Sequence, residues 1–91
     1  MTQVKRWTVE ITIDEHDDEL RTHAEARLKV QDRTELRGEG TARRNPTDRE
    51  VPAIGDELAV ARALSDLAHR LLDAAAGDIE SITSKPAHLS A

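Results

Sequence analysis

The sequence predicts an α+β domain of β-β-β-α order, a three-stranded antiparallel sheet with one long helix packed on one face and a short C-terminal helix. Three observations carry this. Apolar and polar residues alternate in three successive segments of the first half, which is the pattern of strands with one buried face. The segments are joined by short polar stretches, as antiparallel neighbours allow. The second half changes to a helical period from residue 55 to 76, where apolar residues recur every three to four positions.

The first strand is expected over residues 6–14, where Trp7, Val9, Ile11 and Ile13 alternate with Thr8, Glu10 and Thr12. The run 14–19 that follows (Asp, Glu, His, Asp, Asp, Glu) cannot enter a core, because unpaired buried carboxylates are too costly. It reads as a solvated acidic turn. Its oxygens are of the kind that hold Ca²⁺ or Mg²⁺, but the ligand spacing and turn glycine of an EF-hand loop are missing. In the second strand Ala24, Ala26, Leu28 and Val30 alternate with His23, Glu25, Arg27 and Lys29. Residues 31–34 read as a hairpin loop.

The third strand, 35–43, sets Leu36, Gly38, Gly40 and Ala42 on one face and Arg37, Glu39, Thr41 and Arg43 on the other. Glycine weakens a strand unless another backbone approaches closely, so two inward glycines imply a helix seated low on this strand. A loop with two prolines spans 45–52. The long helix is expected over 55–76, with Asp56 and Glu57 near its positive N-terminal end and Gly77 as its stop. Asp78 then suits the cap of a short helix over 79–83, before Pro86. The chain is therefore read as one domain over 6–86 with flexible ends, 1–5 and 87–91.

On a helical wheel Arg62, Ser65, Asp66, His69, Arg70 and Asp73 share one polar arc. Leu58, Ala61, Leu64, Ala68, Leu71, Leu72 and Ala75 form a core stripe, and Val60, Ala63, Leu67 and Ala74 widen it to roughly 200°, about twice what one sheet can cover. The flank of Val60, Ala63 and Leu67 is therefore expected to pack on a second copy of the chain, giving a homodimer. A C-terminal segment folding back with Ile79, Ile82 and Leu89 is the alternative cover. Trp7, Ile11, Leu28, Leu64 and Leu71 are the expected core.

Composition sharpens these expectations. The 91 residues hold one aromatic side chain, Trp7, so the core is aliphatic and its stability marginal. Association is a common remedy for so small a domain. There is no cysteine, which removes disulfides, thiolate nucleophiles and Cys-based metal centres and suits the reducing cytoplasm. Neither an export segment nor a membrane span is expected. The formal charge of −5 opposes nonspecific binding to polyphosphate or anionic membranes, so a membrane or DNA partner is not expected either.

Catalysis is not expected. Ser65, His69 and Asp73 lie one turn apart on the polar arc, but an exposed helix face supplies no oxyanion site and excludes no water. Gly38-Glu39-Gly40 lies inside a strand pattern and lacks the rest of a phosphate-binding loop. No cofactor or metal is implied. The basic residues Arg37, Arg43, Arg44 and Arg49 form one concentration that could meet phosphate, while cross-strand pairing with neighbouring carboxylates is the plainer reading. No aromatic platform stands ready to stack bases.

Three segments resemble a known family: Trp-Thr-Val-Glu-Ile-Thr-Ile-Asp-Glu-His at 7–16, Gly-Glu-Gly-Thr-Ala-Arg-Arg-Asn-Pro at 38–46, and Val-Pro-Ala-Ile-Gly-Asp-Glu-Leu-Ala-Val-Ala-Arg-Ala-Leu-Ser-Asp-Leu at 51–67, followed by Asp78-Ile79-Glu80. They are similar to a family of short actinobacterial proteins of unknown function, some associated with dormancy and low oxygen, and the resemblance covers residues 7–86. It implies an arrangement like double-stranded-RNA-binding domains and dimers shaped like ribosome hibernation-promoting factors. The implied role is a stress-associated binding module meeting the ribosome, its rRNA or a ribosomal protein; the alternative is a protein–protein interaction module that never touches RNA. This chain departs from true double-stranded-RNA binders in opening its helix with Asp56 and Glu57, where they present lysines.

Overall fold

A computed structural model describes residues 2–16, 19–45 and 51–90. Three strands, β1 (Trp7–His16), β2 (Arg21–Val30) and β3 (Arg33–Arg43), precede one helix, α1 (Pro52–Thr83). The strands pair antiparallel in the order β1-β2-β3. Directly opposed residues share a face of a sheet, so the register sets Ile11, Ala26 and Gly38 in one row and Ile13, Ala24 and Gly40 in the next. Each row shrinks from isoleucine to alanine to glycine toward β3. The helix lies over that low side, mostly on β3 and then β2, and barely reaches β1.

The expected close approach at the two glycines is present. A Cβ on Gly38 would overlap the Ala63 carbonyl oxygen and the Leu67 nitrogen, and one on Gly40 the Ala59 carbonyl oxygen and the Ala63 nitrogen. Here the helix backbone itself rests on the strand. Ala59, Ala63 and Leu67 consequently face the sheet and are buried with Ala24, Ala26, Leu28 and Ala42.

This placement corrects the wheel reading of α1. Ala63 and Leu67, expected at a second copy, belong to the chain's own core, and Val60 packs against that core. Of the expected core residues Leu28 is buried, whereas Trp7, Ile11, Leu64 and Leu71 are exposed. The wheel shows how wide the apolar arc is; the glycines decide that its small-residue side turns inward, because only small residues let backbone meet backbone.

The element ends also differ. β1 runs on to His16 because it keeps pairing with β2 as far as His16 opposite Arg21. The β2–β3 turn is only Gln31 and Asp32, both with positive φ (53° and 63°), the geometry of a two-residue type I′ hairpin. β3 therefore begins at Arg33, and the register shifts at Leu28/Lys29. α1 starts at Pro52, whose fixed φ suits the first helical turn, so Asp56 and Glu57 sit a turn further in than expected. Gly77 does not stop it, and the separate short helix is absent: 79–83 continue α1, which ends at Ser84 with φ 57°, its N–H donating to the Glu80 carbonyl at 2.8 Å. The segment after it does not cover the helix, and Ile82 remains 84% exposed.

Two substitutions test these roles. Gly38→Ala is expected to destabilise the fold by about 3 kcal/mol, since helix and strand must separate to admit the methyl group. Gly77 has negative φ, and a methyl group added there would meet nothing within 4 Å, so Gly77→Ala is expected to add about 0.5–1 kcal/mol. Urea unfolding of both variants measures each effect.

Candidate interaction surfaces

The apolar row of β1 stands on the same face as α1 but beyond its cover. Trp7, Val9, Ile11 and Ile13 are 55%, 43%, 39% and 41% exposed, and on the helix Leu58, Leu64 and Leu71 are 45%, 41% and 38% exposed. The cause is in the packing. The buried residues among those described are five alanines, Leu28 and Leu67, with Gly38 and Gly40, so the small residues that let helix and sheet touch fill the core and most of the large apolar ones are left outside.

The polar flank of α1 serves the β3 edge. Arg62 Nη1 donates to the Thr41 carbonyl at 2.7 Å, and the Glu39 N–H donates to Asp66 Oδ2 at 2.9 Å. Arg70 Nε also donates to Asp66 Oδ2, at 3.2 Å. The Glu39 N–H, then Arg70, hold the Asp66 carboxyl below its ordinary value. Side chains thus satisfy backbone groups that an edge strand otherwise offers to another chain. β1, the opposite edge, lies away from α1.

The outer face of the sheet is polar and largely self-neutralised. Lys29 Nζ lies 3.0 Å from Glu10 Oε2, Arg27 Nη2 3.3 Å from Glu10 Oε1, and Arg27 Nε 3.0 Å from Glu25 Oε1. Lys29, by hydrogen bond and by charge, holds Glu10 below its usual carboxylate range, with Arg27 adding to it. His23 Nε2 approaches Glu39 Oε1 at 3.9 Å, and Arg21 Nη2 pairs with Glu19 Oε2 at 3.0 Å.

The basic residues singled out in the sequence do not form one patch. Arg37 and Arg43 are both exposed on β3, but six positions of strand separate them, about 20 Å. Arg49 lies outside the described residues. What the fold does gather is one row at the strand ends, His16, Arg21 and Arg43, on the outer face of the sheet and next to Arg44; a cavity of about 350 Å³ there is lined by them together with the acidic Glu15 and with Leu20, Val51, Pro52, Ile54 and Leu58. The Arg44 N–H, donating to the Leu20 carbonyl at 2.9 Å, ties the end of β3 beneath the helix start. The start of α1, which carries no side-chain cap, adds the partial positive charge of a helix N-terminus. His16 and Arg21 escaped the sequence reading, because the register that sets His16, Arg21 and Arg43 in one row appears only once all three strands are paired.

The other candidates resolve locally. His69 Nδ1 lies 2.8 Å from the Ser65 backbone carbonyl oxygen, its acceptor, so the imidazole engages its own helix rather than the Ser65 hydroxyl. Of the acidic run, Asp17 and Asp18 lie outside the described residues, and among the described residues no group of three His, Asp or Glu side chains is placed to hold a metal ion. No described helix is long and apolar enough to cross a membrane.

The lowered carboxyls fix the sign of the acid response. A carboxyl titrating lower in the folded than in the unfolded chain adds stability above its ordinary value, and that contribution is lost as pH falls through the folded value. With ordinary values of 3.8 for Asp66 and 4.5 for Glu10, the loss begins below about pH 4.5. Asp66→Asn is expected to lower the urea midpoint at neutral pH and to flatten its decline in acid. A variant as acid-sensitive as the parent would contradict the edge-capping role.

Comparison with known proteins places the chain. The Rv2632c-like family profile matches residues 5–88. An uncharacterized Mycobacterium bovis protein, Mb1767, is 55% identical over 86 residues, covering 94% of this chain and 88% of the relative. Rv2632c of Mycobacterium tuberculosis, also uncharacterized, is 48% identical over 82 residues, covering 90% and 85%. The crystal structure of Rv2632c superposes with a TM-score of 0.80 at 46% identity, covering 93% of this chain and 98% of that one. Sequence and fold agree over nearly the whole length, and the chain belongs to the Rv2632c-like family of short mycobacterial proteins.

Proposed function

We propose that this chain is a non-enzymatic binding module whose working unit is a homodimer. The uncovered apolar face supports this reading. The β1 row of Trp7, Val9, Ile11 and Ile13, with Leu64 and Leu71 of the helix, stands exposed, and a surface of this kind is what a standard stable interface of roughly 800 Å² per partner buries. A core of five alanines and two leucines leaves a lone chain marginal, and a second copy supplies the missing cover. The occupied surface is β1 with the outer side of α1.

The basic residues at the strand ends support a second, finer reading, in which the dimer is a dormancy-associated factor that meets the ribosome. Arg43 and Arg44, at the end of β3 by the cavity under the helix start, are suited to phosphate, and the β-β-β-α order supports a double-stranded-RNA-binding-like arrangement by analogy of fold. On a chain of charge −5 such contact is local and falls steeply with salt.

Trp7, the only aromatic residue, reports on the first reading. Light scattering is expected to give twice the chain mass at micromolar concentration, and Trp7 emission to shift red on dilution as the dimer parts. A monomer with unchanging emission would refute it. For the second, sedimentation with purified ribosomes at low salt is expected to carry the parent down and to lose the Arg43→Ala/Arg44→Ala double variant. Absence of co-sedimentation at low salt would remove the ribosome, and capture that survives nuclease treatment would favour a protein partner.

A further inference from the structure

We infer that the outer edge of β1 is a receptor for an extended, basic segment of another protein, which joins the sheet there as a fourth, antiparallel strand. The edge lies in the plane of the sheet and the apolar row stands above it, so a second copy seated on the row leaves the edge open.

The two edges of the sheet are treated unequally. In an edge strand alternate residues turn their N–H and C=O groups away from the sheet, and these groups template a further strand unless something blocks them. On β3 the block is present: Arg62 reaches the Thr41 carbonyl, and Asp66 accepts the Glu39 N–H. On β1 the common blocks are missing. Its ten residues include no proline, glycine, lysine or arginine, and it pairs with β2 from Trp7 to His16 without a register shift. α1 barely reaches it, and every residue from Trp7 to Glu15 is exposed.

The side chains of β1 define what the added strand carries. Directly opposed residues share a face of the sheet. Positions opposite Val9, Ile11 and Ile13 therefore extend the rows that run from isoleucine to alanine to glycine, and β-branched apolar residues fit them. Positions opposite Glu10 and Asp14 lie on the outer face. Among the described residues no cation pairs with Asp14, and the chain's formal charge of −5 draws a cationic partner from a distance.

A segment alternating β-branched apolar and basic residues thus meets the backbone, the apolar row and the charge of β1 together. A nucleic acid is repelled by the same carboxylates and has no counterpart for the backbone ladder. A second copy of β1 brings no lysine or arginine to the outer face.

The probe is a synthetic peptide of about nine residues, the length of a strand, alternating valine and lysine and mixed with the full chain. Amide NMR shifts are expected to move along β1, and alternate β1 amides that exchange fast in the free protein to gain protection. Two further peptides carry N-methyl groups, one on its valine nitrogens and one on its lysine nitrogens. Only one of these sets faces β1 in an antiparallel ladder, so one peptide is expected to bind more than about tenfold weaker while the other still binds. Equal binding of the two would overturn strand addition, because charge and apolar contact alone do not distinguish them. Asp14→Lys, checked for unchanged circular dichroism, is expected to weaken the valine–lysine peptide roughly two- to fivefold, and a peptide with glutamate in place of lysine is expected not to bind. Alternate β1 amides already protected in the free protein would place a second copy on the edge and remove the inference, as would shifts confined to the cavity under the start of α1. The mass of the free chain by light scattering is a separate reading, so the homodimer stands or falls independently of the peptide.

Discussion

Everything in this molecule follows from the contact between the α1 backbone and two glycines of β3. Gly38 and Gly40 let the carbonyls and amides around Ala59, Ala63 and Leu67 settle where any side chain would intervene. Close backbone approach gains dense van der Waals contact, but it demands small residues from both partners. The core is accordingly made of alanines, and the chain's large apolar side chains have no place in it.

That choice moves the apolar surface outward. A helix set further toward β1, or a second helix over β1, would have covered Trp7, Val9, Ile11 and Ile13. Neither is present among the described residues. The surplus is a consequence of the packing rather than of composition, since at 37% hydrophobic residues the chain is not greasy. Its apolar residues are concentrated on one side, where a partner of matching shape gains the most from burying them.

Polar residues are deployed with equal economy of position. Arg62 and Asp66 occupy the backbone groups of β3, so that edge is served from within the chain. Glu10 across on β1 and Glu25 on β2 itself hold Arg27 and Lys29 on the outer face, and Arg43 and Arg44 stand at the strand ends by the cavity under the start of α1, which Glu15 also lines. The surface is thus divided into an apolar side, a neutralised sheet face and an end at the start of α1 where basic and acidic residues meet, which suits a module that binds through separate regions.

Period-two alternation was enough to place the three strands, and the helical period enough to place α1, because each is a local pattern imposed by backbone geometry. The inward glycines correctly announced a helix resting on β3, since an unfilled strand position has few other uses. Gly77 misled because glycine permits a stop without compelling one: its φ stays negative, and α1 passes through at a modest cost. The site was less legible than the fold. Which side of the broad apolar arc turns inward depends on the shape of the sheet beneath it, and the gathering of His16, Arg21 and Arg43 depends on a register shared by three strands. The amino-acid sequence by itself determined the elements, their order and the low seat at Gly38 and Gly40; only the tertiary structure decided that Ala63 and Leu67 lie inside while Ile11 and Leu64 stand outside, because that depends on surfaces meeting across the chain and not on spacing along it.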